Sequence, residues 1–236
     1  MLQQTGVLRV REKYRQFLRA FPSLRALAGA EYRDVLAVWK GLGYNRRAFS
    51  LKRTAEIIVA EHGGRVPSDV DTLAALPGIG KATACAVLAY AFNEPVAFIE
   101  TNIRRVYIHF FFPGTGTVAD SDILPLVEKT LDRRNPREWY DALTDYGTML
   151  RSAESHPNRR GARYRRQPPF EGSVRQARGL ILGALLQAAC SSESRLADQT
   201  EMKPGLLARA LAQLVSEGFV VRGRGGYRIT AGSPGL

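Results

Sequence analysis

A carboxylate that follows a glycine loop and an apolar helix is the feature of this sequence best suited to chemistry. Residues 76–80 read LPGIG, and Lys81 opens the apolar stretch that leads to Glu100. Gly78 and Gly80 let the backbone turn tightly and expose N–H groups at a helix start, which is a good site for a phosphate oxygen. An acid beside a loop that grips a phosphate backbone indicates chemistry on nucleic acid rather than binding alone.

The charge balance points to a polyanionic partner. The 236 residues include 34 Lys and Arg against 22 Asp and Glu, a formal net charge of +12. A chain this basic usually binds nucleic acid, although solvated charged faces alone are the alternative. No apolar run approaches the roughly 20 residues that cross a bilayer, and the start has no signal-peptide pattern. We therefore expect a cytoplasmic, nucleoid-associated protein without a membrane partner.

The two cysteines are far apart in the chain. Cys85 and Cys190 each lie in an apolar helical stretch. This placement favours buried thiols in a reducing compartment over a disulfide or a metal site.

Periodicity predicts a mainly α protein. In residues 1–150 the apolar positions recur at steps of three to four, and none of the segments alternates like a strand. Residues 151–172 are rich in Arg and Pro and have no apolar period. They are either a solvated linker or a basic arm in which Arg159 and Arg160 lie on a phosphate backbone, and both interpretations stay open.

Residues 173–236 have the pattern of a winged helix. Three helices precede a β-hairpin with a basic tip that includes Arg222 and Arg224. This α+β module resembles the winged-helix variant of the helix-turn-helix. Winged helices also dock proteins, but the basic tip favours DNA.

Several extended motifs occur in one order. They are MLQQT at 1–5, LAVWKGLGY at 36–44, LPGIGKATA at 76–84, FIETNIRRV at 98–106 and ALTDYGTML at 142–150. Over residues 1–150 the chain resembles the helix-hairpin-helix DNA glycosylase superfamily, most closely the MutY-type adenine DNA glycosylases. The resemblance implies an all-helical helix-hairpin-helix core followed by the winged-helix domain.

The resemblance also implies an activity. The protein is expected to be a monofunctional DNA N-glycosylase of base excision repair that flips a base out of double-stranded DNA and hydrolyses its bond to the sugar. Adenine opposite oxidised guanine is the first expectation, and uracil or thymine opposite guanine is the second. The alternative is a non-catalytic DNA-binding sensor or regulator on a glycosylase scaffold. We expect a monomer.

Most of the expected contacts to DNA follow from the matching motifs. Gly78, Gly80 and Lys81 match the phosphate clamp. Gln3 and Gln4 match residues that probe the opened duplex. Tyr44 matches an aromatic wedge, although by itself it would be a half-buried aromatic at a helix end. The basic residues predicted to contact DNA are Arg104, Arg159, Arg160, Arg222 and Arg224.

Glu100 matches the position where the family carries Asp. Cleavage of an N-glycosidic bond builds positive charge on the sugar, and a nearby carboxylate stabilises it. Glu is one methylene longer than Asp, so its reach and angle differ. The alternative is that Glu100 only accepts hydrogen bonds from the helix start that follows it.

Three departures from the family narrow the expectation. Ala82 stands where bifunctional relatives carry a nucleophilic Lys, so no lyase step is expected. The family's iron–sulfur cluster needs four Cys just after Leu150, and residues 151–170 contain none, so no cofactor and no metal are expected. The adenine-specific type has a catalytic Glu two residues before the match to Met1. Either the start of this chain is truncated or misassigned, or the protein lacks the acid that protonates adenine.

Overall fold

The chain is mainly α-helical, as predicted. The computed structural model describes residues 1–2, 5–114, 116–150, 157–162 and 164–231. Of the helices in these ranges, none is long and apolar enough to cross a bilayer. The helices are, in chain order, α1 (Val7–Ala20), α2 (Leu24–Gly29), α3 (Tyr32–Trp39), α4 (Arg46–Glu61), α5 (Val70–Ala75), α6 (Lys81–Val87), α7 (Thr101–Phe111), α8 (Asp120–Thr130), α9 (Pro136–Met149), α10 (Val174–Gln187), α11 (Glu193–Thr200) and α12 (Pro204–Ser216). Strands β1 (Val220–Gly223) and β2 (Gly226–Ile229), a π-helical turn (Leu88–Phe92) and a 3₁₀ turn (Pro157–Arg160) complete the described elements.

Packing divides the chain into two units. The first combines Met1–Val66 with Pro168–Leu236, and the second is Pro67–Gln167. This grouping cuts across the predicted sequential domains 1–150 and 173–236, because apolar side chains from both ends of the chain share one core. The boundaries at residues 150 and 173 stay a prediction.

The first unit is held together by contacts between distant helices. The ring of Phe49 in α4 meets that of Phe219 edge to face, with 4.5 Å between the centroids, and both side chains are fully buried. Arg33 of α3 donates to the carbonyl oxygens of Leu185 at 3.1 Å and Ala188 at 3.3 Å. These carbonyls end α10, so the guanidinium caps that helix. The N-terminal helices therefore fold together with the C-terminal ones.

The C-terminal part of the first unit has the predicted order of three helices and a hairpin. Strands β1 and β2 pair antiparallel, with Val220 opposite Ile229. Ser191, between α10 and α11, exchanges two backbone hydrogen bonds with Tyr227 at 2.9 and 2.8 Å. Gly226 has a φ of +115° and lies directly against Ser191, where a Cβ atom would clash. The hairpin is therefore tied to the connection between α10 and α11.

The second unit carries a small aromatic core under α7 and α9. The rings of Phe98 and Tyr140 lie 4.4 Å apart, and the Tyr140 hydroxyl donates to the Val96 carbonyl at 2.9 Å. Burial raises the pKa of Tyr140, so this phenol stays a neutral donor. The core supports the two helices between which the candidate site lies.

Candidate active site

The glycine loop joins two helices, as the sequence predicts. Asp69 caps α5 by accepting the Thr72 N–H at 2.8 Å. Gly78 has a φ of +74°, a left-handed conformation that favours glycine. Gly80 is the N-cap residue of α6, and Lys81 is its first residue. Both glycines and Lys81 are exposed, so the start of α6 is open to a ligand.

Glu100 is the N-cap residue of α7. Its Oε1 atom accepts the N–H groups of Asn102 at 2.6 Å and Ile103 at 2.8 Å. Two orphan amides of the helix start are thereby satisfied by one oxygen. Within the described ranges the other oxygen, Oε2, accepts no hydrogen bond. The capping role that the sequence left open is thus present, and it occupies only half of the carboxylate.

The stretch that follows the glycine loop and α6 carries a tyrosine, Tyr90. Helix α6 runs without a break into the π-helical turn that carries Tyr90. The Tyr90 hydroxyl shares a hydrogen bond of 3.2 Å with the Thr144 hydroxyl. Burial raises the pKa of Tyr90, and the negative charges of Asp141, Glu100 and Asp145 raise it further. Glu100 is therefore one of the charges that act on the Tyr90 hydroxyl.

A buried arginine joins the start of α7 to α9. Arg105 is 3% exposed and donates to the Asn102 side-chain oxygen at 2.9 Å and to the Gly147 carbonyl. Gly147 lies so close to Asn102 that a Cβ atom there would lie 2.5 Å from the Asn102 carbonyl oxygen. The sequence alone predicts no role for Asn102, Arg105 or Gly147. The one feature of the sequence that could have indicated a role is that all three residues lie inside the matched motifs.

Arg104 and Arg160, both predicted to contact DNA, have intramolecular partners. Arg104 forms a two-bond ion pair with Asp120, with Nε–Oδ1 at 2.7 Å and Nη2–Oδ2 at 2.9 Å. Arg160 donates to the carbonyls of Phe112 at 2.6 Å and Gly116 at 3.0 Å. Arg159, the residue before Arg160, is exposed, and no described residue pairs with it. Only Arg159 of the three presents an unpaired charge to solvent.

The predicted wedge Tyr44 belongs to the first unit. It has a φ of +48°, which is uncommon for a residue with a side chain, and its side chain is 41% exposed. The Arg47 guanidinium carbon lies 5.4 Å from the Tyr44 ring centroid and 5.5 Å from that of Trp39. Arg47 also donates to the Leu42 and Gly43 carbonyls, each at 3.3 Å. Arg47 therefore holds the loop that presents the Tyr44 ring.

The remaining predicted contacts fall outside the second unit. Gln3 and Gln4 lie outside the residues that the structure describes. Arg222 and Arg224 are exposed at the hairpin, and the Arg222 guanidinium lies 5.7 Å from the Tyr227 ring centroid. Their contact with DNA stays a prediction.

A glycine loop between two helices, followed by an acid at the start of a further helix, defines the helix-hairpin-helix class. A family model described as HhH-GPD superfamily base excision DNA repair protein matches residues 1–121, half of the chain. The chain belongs to this family, and the resemblance drawn from the motifs is confirmed.

Known proteins agree with this assignment. The adenine DNA glycosylase of Mycolicibacterium smegmatis is 32% identical over 249 residues, which cover 98% of this chain and 85% of that protein. The adenine DNA glycosylase of Mycobacterium tuberculosis is also 32% identical and covers 80% of this chain and 68% of its own. A solved structure of a thermostable thymine-DNA glycosylase covers 67% of this chain and 74% of its own, with a TM-score of 0.57 at 23% identity. This last likeness shows the fold alone.

The residues of this chain do not fit the iron–sulfur cluster that the family resemblance implies. The cluster needs four thiolates, and the chain has two cysteines. Cys85 is buried in α6 of the second unit, and Cys190 lies in the first unit. Burial also raises the pKa of Cys85, which disfavours a thiolate. Elsewhere in the described ranges, His, Cys, Asp and Glu form no group of three that could hold a metal ion.

Proposed function

We propose that the protein is a monofunctional DNA N-glycosylase that removes adenine opposite oxidised guanine from double-stranded DNA. The observation that carries the proposal is the divided carboxylate of Glu100: helix amides bind one oxygen, and the other has no hydrogen-bond partner among the described residues. The names of the similar proteins support adenine as the base. The enzyme is proposed to act as a monomer that is associated with the nucleoid.

The proposed mechanism gives each part of the second unit a task. Backbone amides at Gly78 and Gly80, with Lys81, bind a phosphate of the strand that carries the adenine. Glu100 Oε1 stays bound to the α7 amides, which fixes the direction of Oε2. That oxygen stabilises the positive charge that develops on the sugar as the bond to adenine breaks. Water adds to the sugar carbon and releases a proton to solvent, and the departing adenine takes up a proton from solvent.

Other residues are proposed to open and hold the duplex. Tyr44 enters the base stack as a wedge, and Gln3 and Gln4 probe the opened base pair. Arg159, Arg222 and Arg224 contact phosphates. Because Arg104 and Arg160 already have partners within the second unit, we assign them to the fold and not to DNA.

The absence of a lyase step is also a proposal. A Schiff-base lyase needs an amine that reaches the sugar carbon. The family's position for that amine is Ala82 here, and Lys81 lies one residue earlier, which rotates it by about 100° around the helix. We therefore expect the enzyme to leave the DNA strand intact.

Base release from labelled duplexes tests the proposed function. Purified protein is incubated with duplexes containing adenine opposite oxidised guanine, and in parallel with uracil or thymine opposite guanine. We expect strand breaks in the duplex with adenine opposite oxidised guanine, and we expect them only after treatment with hot alkali. Breaks without alkali would show a lyase, and breaks only in the guanine mismatches would reassign the base. If the duplexes are bound but no base is released, the protein is a sensor on a glycosylase scaffold.

The hairpin arginines are expected to contribute charge contacts to binding. Each phosphate that is neutralised adds about −0.9 to the slope of log K against log salt concentration. Arg222→Ala and Arg224→Ala should therefore each make the slope shallower by up to about 0.9. Fluorescence anisotropy across a salt series measures the slope.

Arg53→Ala is the matched control, because Arg53 is exposed but already paired with Glu56 at 3.1 Å. It should leave the slope unchanged. If both hairpin variants behave like the control, the C-terminal module does not bind DNA through its hairpin.

A further inference from the structure

Residues 157–162, called the strap here, lie in the part of the chain where the family places its cluster ligands. The strap begins with the 3₁₀ turn and belongs to the second unit. Pro157 and Asn158 are buried, whereas Arg159 points to solvent. The strap is not a solvated linker, because three of its six residues, Pro157, Asn158 and Gly161, are buried.

The strap holds the first turn of α7. Asn158 is 5% exposed, and its side-chain amide donates to the Thr101 carbonyl at 2.9 Å. Thr101 directly follows Glu100 and is the first residue of α7. The turn that Asn158 anchors is thus the turn whose amides bind Glu100 Oε1.

The strap also holds the other end of α7. Arg160 donates to the carbonyl of Phe112, the C-cap residue, at 2.6 Å. A cation at a helix C-terminus interacts favourably with the helix dipole. Val118 donates to the Arg160 carbonyl, and Ala162 donates to the Val118 carbonyl, each at 2.9 Å, which forms a parallel bridge.

The middle of the strap packs against the side of α7. A Cβ atom at Gly161 would lie 3.3 Å from the Arg104 side-chain Cδ, so a larger residue would press on the arginine that is paired with Asp120. The strap thereby contacts α7 at its start, its side and its end.

We propose that the strap is the support of α7, and that Asn158 is a positioning residue for Glu100. This inference rests on the proposed function of Glu100. Without the Asn158 amide, the first turn of α7 loses a buried hydrogen bond, and the Asn102 and Ile103 amides lose part of their fixed orientation. Since small misplacements of a reacting group cost large factors in rate, the effect falls on excision and not on DNA affinity.

Two neighbouring substitutions separate positioning from binding. Asn158→Ala should lower the single-turnover excision rate constant at saturating duplex by about tenfold, with the Kd for DNA within about threefold of wild type. Asn158→Asp, which keeps the volume but removes the donor, should behave alike. Arg159→Ala is the contrasting variant, because loss of its exposed charge should weaken DNA binding. Arg53→Ala is the matched control, because Arg53 is exposed and paired with Glu56 in the first unit, and it should leave the saturated rate constant unchanged.

Hydrogen exchange gives a readout that does not need activity. Exchange of the Asn102 and Ile103 amides should become faster in Asn158→Ala and Asn158→Asp than in wild type and Arg159→Ala, below the melting temperature of each variant. Unchanged exchange and unchanged rate would overturn the inference. If the rate constant and the affinity fell equally, in proportion to the loss of stability, the strap would only stabilise the fold in general. That result would also overturn the inference. Faster exchange in a protein that releases no base would retain the positioning role and refute the proposed function.

Discussion

Glu100→Gln is expected to lower the rate constant of base release at saturating duplex by about 10²–10³-fold. The Gln side-chain oxygen can still accept the Asn102 and Ile103 amides, so the cap of α7 is retained. The substitution removes the negative charge at the Oε2 position, which in the proposed mechanism lies beside the developing positive charge on the sugar. Single-turnover kinetics measure the rate constant, and anisotropy should show a nearly unchanged Kd.

Glu100→Asp is the control that keeps both charge and cap. Asp is a good N-cap residue and is the residue that the family carries at this position. It should therefore retain much more activity than Glu100→Gln. If Glu100→Gln releases base at the wild-type rate, Glu100 is a cap and nothing more, and the catalytic group lies elsewhere.

Gly147→Ala is expected to lower the free energy of unfolding by about 2–3 kcal/mol. A Cβ atom at this position would lie 2.5 Å from the Asn102 carbonyl oxygen, 2.7 Å from its Cβ and 2.9 Å from its carbonyl carbon. Backbone atoms cannot move aside as a flexible side chain can, so α7 and α9 must separate. Because Asn102 also binds Glu100, excision should fall as well. Denaturant titration measures the stability change.

Gly179→Ala is the matched control for this substitution. Gly179 is an exposed residue within α10, and a Cβ atom there meets nothing within 4 Å. Alanine has the higher helix propensity, so this variant should be more stable by up to about 1 kcal/mol. Equal effects of the two substitutions would show that α7 and α9 are not in close contact at Gly147.

Much of the candidate site could be predicted because it depends on neighbours in sequence. The glycine loop, the start of α6 at Lys81 and the cap at Glu100 each involve residues within four positions of one another, and the same holds for the turn of the C-terminal hairpin. Local backbone geometry and the need to satisfy helix-end amides determine these features. The family resemblance then assigned expected roles to the same positions.

The partners of the arginines were beyond such reasoning. Arg104 and Arg160 are predicted from the sequence to contact DNA, and nothing in the sequence distinguishes Arg105 from them. In the structure they pair with Asp120, Gly147 and Phe112, residues that lie 16, 42 and 48 positions away. Which acceptor a long cationic side chain reaches depends on how helices pack, and no local pattern encodes that.

The glycine loop, the acid at Glu100 and the two cysteines can therefore be read from the residues alone, because they are local or compositional features, and the ordered motifs are enough to indicate the family. The tertiary structure alone decided that both ends of the chain share a core through Phe49 and Phe219, and that Asn158 supports the turn beside Glu100. The shared core and the Asn158 contact have one cause. Burial of an apolar face or a polar side chain is satisfied by whichever surface folding brings to it, however far away that surface lies in the chain.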